Sequence, residues 1–396
     1  MSRIDILNDA AKEVLRTAAV IGNTFELLTL RHILGRDQRS GLRGRLHDLI
    51  QLDLAVREKG VQQPTYRFKH ALIQEVAYDS LPFAQRRELH HRLGSYIEET
   101  SAGQLEAQYE ILVHHFDRAK DKEKTLEYSS KAGDKAKRMF ANQEAIAYYQ
   151  RALEVSAELP DTESTQLSLE EGLGDIFELI GQYDQALDRY EAGQQRCEAL
   201  KGKNRVRSEV EIAPSRSVSP DVPRAEALDR HIAVICDKKA MVHERKGRYD
   251  AALEWLDKGL SMLGYDCEEK ARLCTDRAGV LYRQAEYAQA LYWGQQGLDM
   301  AHNVGDLGRV AQAYDLLGTI NDELGNTHEA IGYRYQSLSI YEQLHDLPGQ
   351  AKVLNNLGIS YHLQGNWDEA RRHYQKGLET SERIGDVNSI AMVSNN

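Results

Sequence analysis

Apolar residues from Leu7 to Ile21 recur at helical spacing and predict a first helix. FELLTLRHIL (25–34) and SGLRGRLHDLIQLDL (40–54) predict two shorter ones, and LAVREKGVQQPTYRFKH (54–70) reads as two short strands around a Gly/Gln/Pro turn. ALIQEVAYDSL (71–81) and AQRRELHHRLGSYIEE (84–99) are helical again, with Pro82 as a break between them.

Beyond residue 126 the pattern repeats. Aligning DLLGTINDELGNTHEAIGYRYQSL (315–338) with NNLGISYHLQGNWDEARRHYQKGL (355–378) superimposes Gly318 on Gly358, Gly325 on Gly365 and Ala330 on Ala370, a period of 40. Extended backward, the frame places a small residue in each first helix at Gly133, Gly174, Ala240, Ala278, Gly318 and Gly358. Twelve residues on comes Ala145, Ala186, Ala252, Ala290, Ala330 or Ala370, and seven further Ala152, Gly193, Gly259, Gly297, Ser337 or Gly377. Three small positions per unit let two antiparallel helices approach closely, with Tyr183, Tyr249, Tyr287 and Trp367 expected to fill the space beside them. The pattern resembles the tetratricopeptide repeat, lengthened to about 40 residues, over roughly 126–396. The resemblance implies helical hairpins stacked into a right-handed superhelix whose inner surface binds proteins.

One interval departs from the period. Gly174 to Ala240 is 66 residues, and the excess contains EIAPSRSVSPDVPRAEA with Pro214, Pro220 and Pro223, which predicts a surface loop near 203–224. At the other end, Val393-Ser394-Asn395-Asn396 lies in register with Val353-Leu354-Asn355-Asn356, inside the first helix of a seventh unit. An array normally closes with a polar capping helix, so the expectation is a parent protein that continues.

Composition narrows the class. A charged fraction of 28% and a hydrophobic fraction of 41% fit a folded chain, and no apolar run approaches the roughly 20 residues of a membrane span. Acidic residues sit where a signal peptide would carry its apolar stretch, so a cytoplasmic location is expected. Cys197, Cys236, Cys267 and Cys274 lack zinc-module spacing and read as free thiols. The formal net charge of -11 is uneven: residues 1–100 carry 15 Lys/Arg against 13 Asp/Glu, leaving 35 against 48 beyond them. An acidic array repels nucleic acid, so any DNA contact belongs to the first hundred residues.

Helices followed by a two-stranded hairpin make a winged helix. Arg39, Arg43 and Arg45 lie on or before its third helix, where DNA-reading residues would sit. Gly41 and Gly44 weaken that helix and a charge of +2 is small for a DNA-binding module, so DNA is disfavoured as a partner.

The order of parts is the most specific feature. LRTAAVIGNTFELLTL, then YRFKHALIQEVAYDSL, then QRRELHHRLGSYIEE, then tetratricopeptide repeats, resembles the C-terminal portion of signal-transduction ATPases with numerous domains, the STAND class, in the branch linked to cyclase or kinase domains. In that class the winged helix packs against a nucleotide-binding domain, and a histidine opening the helix after the wing touches the ADP phosphate. By motif position this is His70, with Lys69 and Arg67 adding positive field. The chemistry is reasonable, because a helix N-terminus favours an anion and an imidazole adds a donor. The resemblance implies ADP or ATP as a cofactor of the parent protein, and none for this chain.

The chain has no GxxxxGK[ST] phosphate loop, no cyclase-type segment and no HExxH or GxSxG, so it is read as non-enzymatic with no catalytic residues. His90-His91 and His114-His115 are adjacent pairs. On a helix adjacent residues point about 100° apart, so neither pair is expected to ligate one metal, and no metal site is assigned.

In the repeat frame the inner face of the first helices displays Glu171, Asp175, Glu178, Asp237, Glu244, Arg245, Arg272, Thr275, Tyr282, Arg283, Gln312, Asp315, Asp322, Glu323, Lys352, Asn355 and His362. This mixed, locally acidic surface suits a protein or peptide partner with basic or polar segments. The fold class expected is predominantly all-α: a winged-helix arm domain over 1–100, a connecting helix over 101–125, repeats over 126–200, a Pro/Ser-containing insertion over 201–230, and repeats over 231–396. Its partners would be a protein ligand in the groove and a nucleotide-binding domain of the same protein, without membrane association. The alternative is a stand-alone adaptor with a DNA-binding winged helix.

Overall fold

The computed structural model describes residues 4, 6–58, 63–210, 222–386, 390–391, 393–394 and 396. They form two compact units, 1–176 and 177–396, and the described residues hold eighteen α-helices and three strands.

In the first unit, helix α1 (Asp9–Ile21) starts where the Asn8 side chain accepts a 2.8 Å bond from the Ala11 amide, with Asp9 in the first turn. Then follow β1 (Thr24–Glu26), α2 (Leu27–Ile33), α3 (Leu42–Gln51), β2 (Ala55–Arg57) and β3 (Thr65–Phe68). The sheet order is β1-β3-β2, antiparallel throughout, with Phe25 opposite Tyr66 and Ala55 opposite Phe68. The periodicity of 25–34 predicts helix throughout, yet its first two residues belong to β1. An open edge of β3 is available to them, and Phe25 reaches the core by packing 5.9 Å from Tyr66 and 5.5 Å from Phe68. Val14, Leu15, Leu30, Leu46, Leu49 and Phe68 complete this core. Each such side chain contributes about 1.5–3 kcal/mol on burial. Helix α4 (Ala71–Asp79) follows the sheet, and Pro82 is the N-cap of α5 (Phe83–Thr100). A short 3-10 turn (Leu105–Gln108) leads into α6 (Tyr109–Ala119), which packs on α5, followed by α7 (Lys122–Arg138) and α8 (Asn142–Ser156).

Helix α9 (Glu163–Leu179) spans the division between the units. The second unit continues with α10 (Tyr183–Val210), α11 (Val222–Arg245), α12 (Tyr249–Met262), α13 (Glu268–Arg283), α14 (Tyr287–Val304), α15 (Leu307–Glu323), α16 (Thr327–Gln343), α17 (Leu347–Leu363) and α18 (Trp367–Ile384). Within it the helices pack as consecutive hairpins, α11 with α12, α13 with α14, α15 with α16 and α17 with α18. All eighteen small positions of the repeat frame are buried. At two of them a β-carbon would fall on a ring of the paired helix: 2.5 Å from Tyr149 at Gly133 and 2.4 Å from Tyr374 at Gly358. The space-filling rings are thus Tyr149 and Tyr374. Trp367, expected in that role, opens α18 and is 63% exposed, and Tyr183, Tyr249 and Tyr287 open their helices half-buried.

The insertion also differs from expectation. Helix α10 runs on to Val210 and α11 begins at Val222, so 203–210 and 222–224 are helical; residues 211–221 lie outside the described residues. Pro223 falls in the first turn of α11, where its missing N–H costs nothing.

Each hairpin turns on one left-handed residue: Phe140, Gly181, Gly247, Ala285, Gly325 and Gly365, each seven beyond the small residue of its first helix. Four are glycine. Ala285 (φ 62°) carries a β-carbon into a region that disfavours it by about 1–2 kcal/mol. Glycine relieves this but loosens the unfolded chain, so Ala285→Gly should stabilise by about 0.5–1 kcal/mol, read as a higher denaturant midpoint at unchanged m-value.

Candidate functional site

The residues assigned to the inner face come from consecutive first helices, and the structure joins them in a ladder. Arg245 of α11 meets Glu178 of α9 at 3.4 Å. Arg272 and Arg283 of α13 meet Asp237 and Glu244 of α11 at 2.9 and 2.5 Å. Tyr282 of α13 donates to Glu323 of α15 at 3.3 Å. From α17, Lys352 and Asn356 reach Asp315 of α15 at 3.1 and 3.0 Å, and Ser360 donates to Asp322 at 2.8 Å. A face read as a partner-binding surface therefore also bolts neighbouring units together. Most of these pairs set a buried acid against a more exposed cation, so water screens one partner of each.

Burial divides the set. Asp237, Glu244, Thr275, Asp315 and Asn355 are buried, while Arg245, Arg283, Gln312, Glu323, Lys352 and His362 are exposed and available to a partner. Thr275 turns its hydroxyl inward to the Ala271 carbonyl at 2.9 Å, Asn355 accepts from Asn396 at 2.9 Å, and His362 meets Trp367 edge to face, centroids 4.7 Å apart. In the first unit Glu171 and Asp175 line a cavity of about 340 Å³ with Lys137, Arg138 and Tyr149, and Lys137 pairs with Asp175 at 2.8 Å.

Two residues of this region, Asp276 and Arg334, escape the repeat frame. Half-buried Asp276 of α13 interacts with Asp237 of α11. Withdrawal from water, then the Asp237 charge, raises its carboxyl to about 8, with Arg309 and Arg272 opposing. Asp237 is likewise raised, first by burial. Arg334 of α16 is buried against Asp322 and Ser360. Its position reads Tyr149, Tyr190, Leu256, Gly294, Arg334 and Tyr374 through the six units, so a cation among tyrosines was the available signal.

At the other candidate site, His70 is the N-cap residue of α4, exposed, with no side-chain capping bond. Lys69 pairs with Asp53 at 2.6 Å and Arg67 with Glu58 at 2.7 Å. The positive field expected around His70 is therefore partly neutralised, because both cations have acidic partners on neighbouring segments. Arg39 donates to the carbonyls of His32 and Leu34, and Arg45 to that of Gln38 at 2.7 Å, leaving Arg43 as the exposed arginine of α3.

The histidine pairs depart from the adjacency expectation. His114 and His115 meet edge to face with centroids 5.1 Å apart, and His90 of α5 closes on both. Adjacent side chains diverge at Cα, but two flexible imidazoles can converge on a ring supplied by another helix. His91 stands apart, 3.3 Å from Asp121. All four cysteines are free and buried, and burial pushes the Cys236 and Cys274 thiols up to about 11.

The tetratricopeptide-repeat profile matches residues 136–199, 233–262 and 309–383, the last two inside the hairpins of the second unit. These segments are tetratricopeptide repeats, and the chain is an all-α repeat protein with one small sheet. A segment of 156 residues is 27% identical to an uncharacterized protein of Rhizobium meliloti (strain 1021), covering 39% of this chain and 15% of that one. The chain thus spans under one sixth of the length of this relative. Among solved structures, the apo form of RapI is similar with a TM-score of 0.51 and 16% identity, over 77% of this chain and 80% of that one, a likeness of fold. A Signal Transduction ATPase with Numerous Domains (STAND) protein with a tetratricopeptide repeat sensor, from Pyrococcus horikoshii, aligns with a TM-score of 0.47 and 12% identity over 98% of this chain and 53% of that one. No helix among the described residues is long and apolar enough to cross a membrane.

Proposed function

We propose that this chain is a non-catalytic regulatory segment of a signal-transducing ATPase. Its repeats sense a protein partner, and its first hundred residues form a winged-helix arm that holds a nucleotide-binding domain, lying elsewhere in the parent protein, in its ADP state. The observation that carries the arm's role is His70, an exposed imidazole at the N-terminus of α4 that does not cap its own helix and so keeps a donor beside free backbone N–H groups. The helix–strand–helix–helix–strand–strand order, with the β1-β3-β2 sheet, supports the winged-helix reading. Arg39 and Arg45 spend donors on their own domain, which favours regulation over DNA binding.

Partner binding through the exposed heads of the ladder shifts the arm between two packed states and loosens its hold on ADP. A charge-assisted hydrogen bond is worth about 1.5–3 kcal/mol, and 1.4 kcal/mol is tenfold in an equilibrium. In the full parent protein, His70→Glu should therefore raise partner-independent output by about tenfold or more. Basal output unchanged in a folded His70→Glu variant would sink the sensor role.

A further inference from the structure

His90 on α5 and His114 and His115 on α6 place one ring nitrogen each within 4.8 Å of one another, and the Nδ1 atoms of His90 and His115 face each other at 2.9 Å. We infer that these three imidazoles form a binding site for a divalent transition-metal ion of the zinc type, clamping α5 to α6.

Geometry supplies the first support. Two nitrogens on one tetrahedral zinc, each about 2.0–2.1 Å away, lie about 3.3 Å apart. The 2.9 Å pair must open slightly and the widest pair must close, which rotation of the exposed His114 ring allows. The second support is orientation. The Tyr78 hydroxyl lies 3.0 Å from His90 Nε2 and fixes which nitrogen of that ring turns to the cluster, the outer-shell arrangement typical of metal-bound histidine. His90 and His115 are buried while His114 is exposed, so the cluster has two fixed ligands, one adjustable ligand and a route from solvent.

Protonation does not oppose binding. Burial first, then neighbouring charge, lowers His90 to about 4 and His115 to about 3, and lowers His114 as well, so the rings hold free lone pairs at neutral pH. The N–H now shared between His90 and His115 moves to the far nitrogen of its ring when the metal enters. The ion displaces no net proton. Arg86 and Arg118 face the cluster with positive charge and Asp117 with negative charge, so the field is not favourable and the imidazoles must supply the affinity. An all-nitrogen set selects zinc, nickel, cobalt or copper over magnesium and calcium.

The test uses the full chain without an affinity tag. Zinc titrated against a chromophoric chelator should show one equivalent bound, and cobalt should give visible absorption. His114→Ala, at an exposed position, should lower zinc affinity at least tenfold and abolish the cobalt bands. His91→Ala, whose ring lies apart against Asp121, should leave both unchanged. His115→Gln serves as a second ligand variant, checked for retained helicity. Absence of stoichiometric zinc in the unmodified chain, or equal affinity in His114→Ala, would overturn the site.

Discussion

Arg334→Met is expected to destabilise the fold by about 3–5 kcal/mol, the cost of leaving a buried acid without its partner. Arg334 is 2% exposed on α16 and forms an ion pair with Asp322 of α15, hydrogen-bonds Ser360 of α17, and lies 3.9 Å from Asp315. Its stem fits because Gly318 has no side chain: a β-carbon there would stand 3.0 Å from Arg334 Cγ. Methionine refills the stem's volume and removes only the charge, so the loss reports the stranded carboxylate. Pairing it with Asp322→Asn should restore much of that loss, since a neutral amide tolerates burial far better. Chemical unfolding of the two variants measures both effects. Single and double variants of equal stability would show that Asp322 stays solvated and that the ion pair has little weight.

What the sequence conveyed about this fold depended on distance along the chain. Close helix approach forces small side chains at fixed intervals, so Gly318, Ala330 and Ser337 carry the hairpin in one short stretch and the period was legible. Of the left-handed turn residues only Gly325 and Gly365 stood out, in the alignment of the last two units; Phe140 and Ala285 fill the same position, which constrains backbone rather than side chain. The ladder was not legible. Its partners, such as Glu178 and Arg245, lie in successive units, and a list of inner-face residues does not say which charges neutralise each other. The strand at Thr24–Glu26 needs the edge of β3, some forty residues later, before its own three residues favour it. The histidine cluster depends on the pairing of α5 with α6, which no spacing within either helix announces. At His70 the sequence placed the residue at the start of α4, while the acids opposite Lys69 and Arg67 emerged only from the packing.

Asp276→Asn should make the fold more stable than the unmodified chain at pH 8–9 and less sensitive to pH below that. Asp276 on α13 lies against Asp237 on α11, and burial together with the Asp237 charge favours a proton on the Asp276 carboxyl. Folding raises Asp276 from an ordinary 3.8 to about 8, through burial first and the Asp237 charge second. A raised acid contributes its full stability below the unfolded value, near pH 4, and loses it as pH rises toward about 8. Asparagine keeps a donor toward Asp237 without the proton to lose. Arg272, Arg309 and Lys238 also face Asp237, so part of the carboxylate repulsion is already offset, and the gain at pH 9 is set at about 1 kcal/mol or more. For a chain of 396 residues that is a rise in Tm of about 1 °C. Melting curves from pH 4 to 9 decide it. Convergence of the two chains near pH 4, with a gap that opens between pH 4 and about 8 and stays constant above, supports a proton held on Asp276 in the folded state; a constant offset at every pH would show that both carboxyls are ionised in the folded state and that Arg272 and Arg309 suffice to hold them.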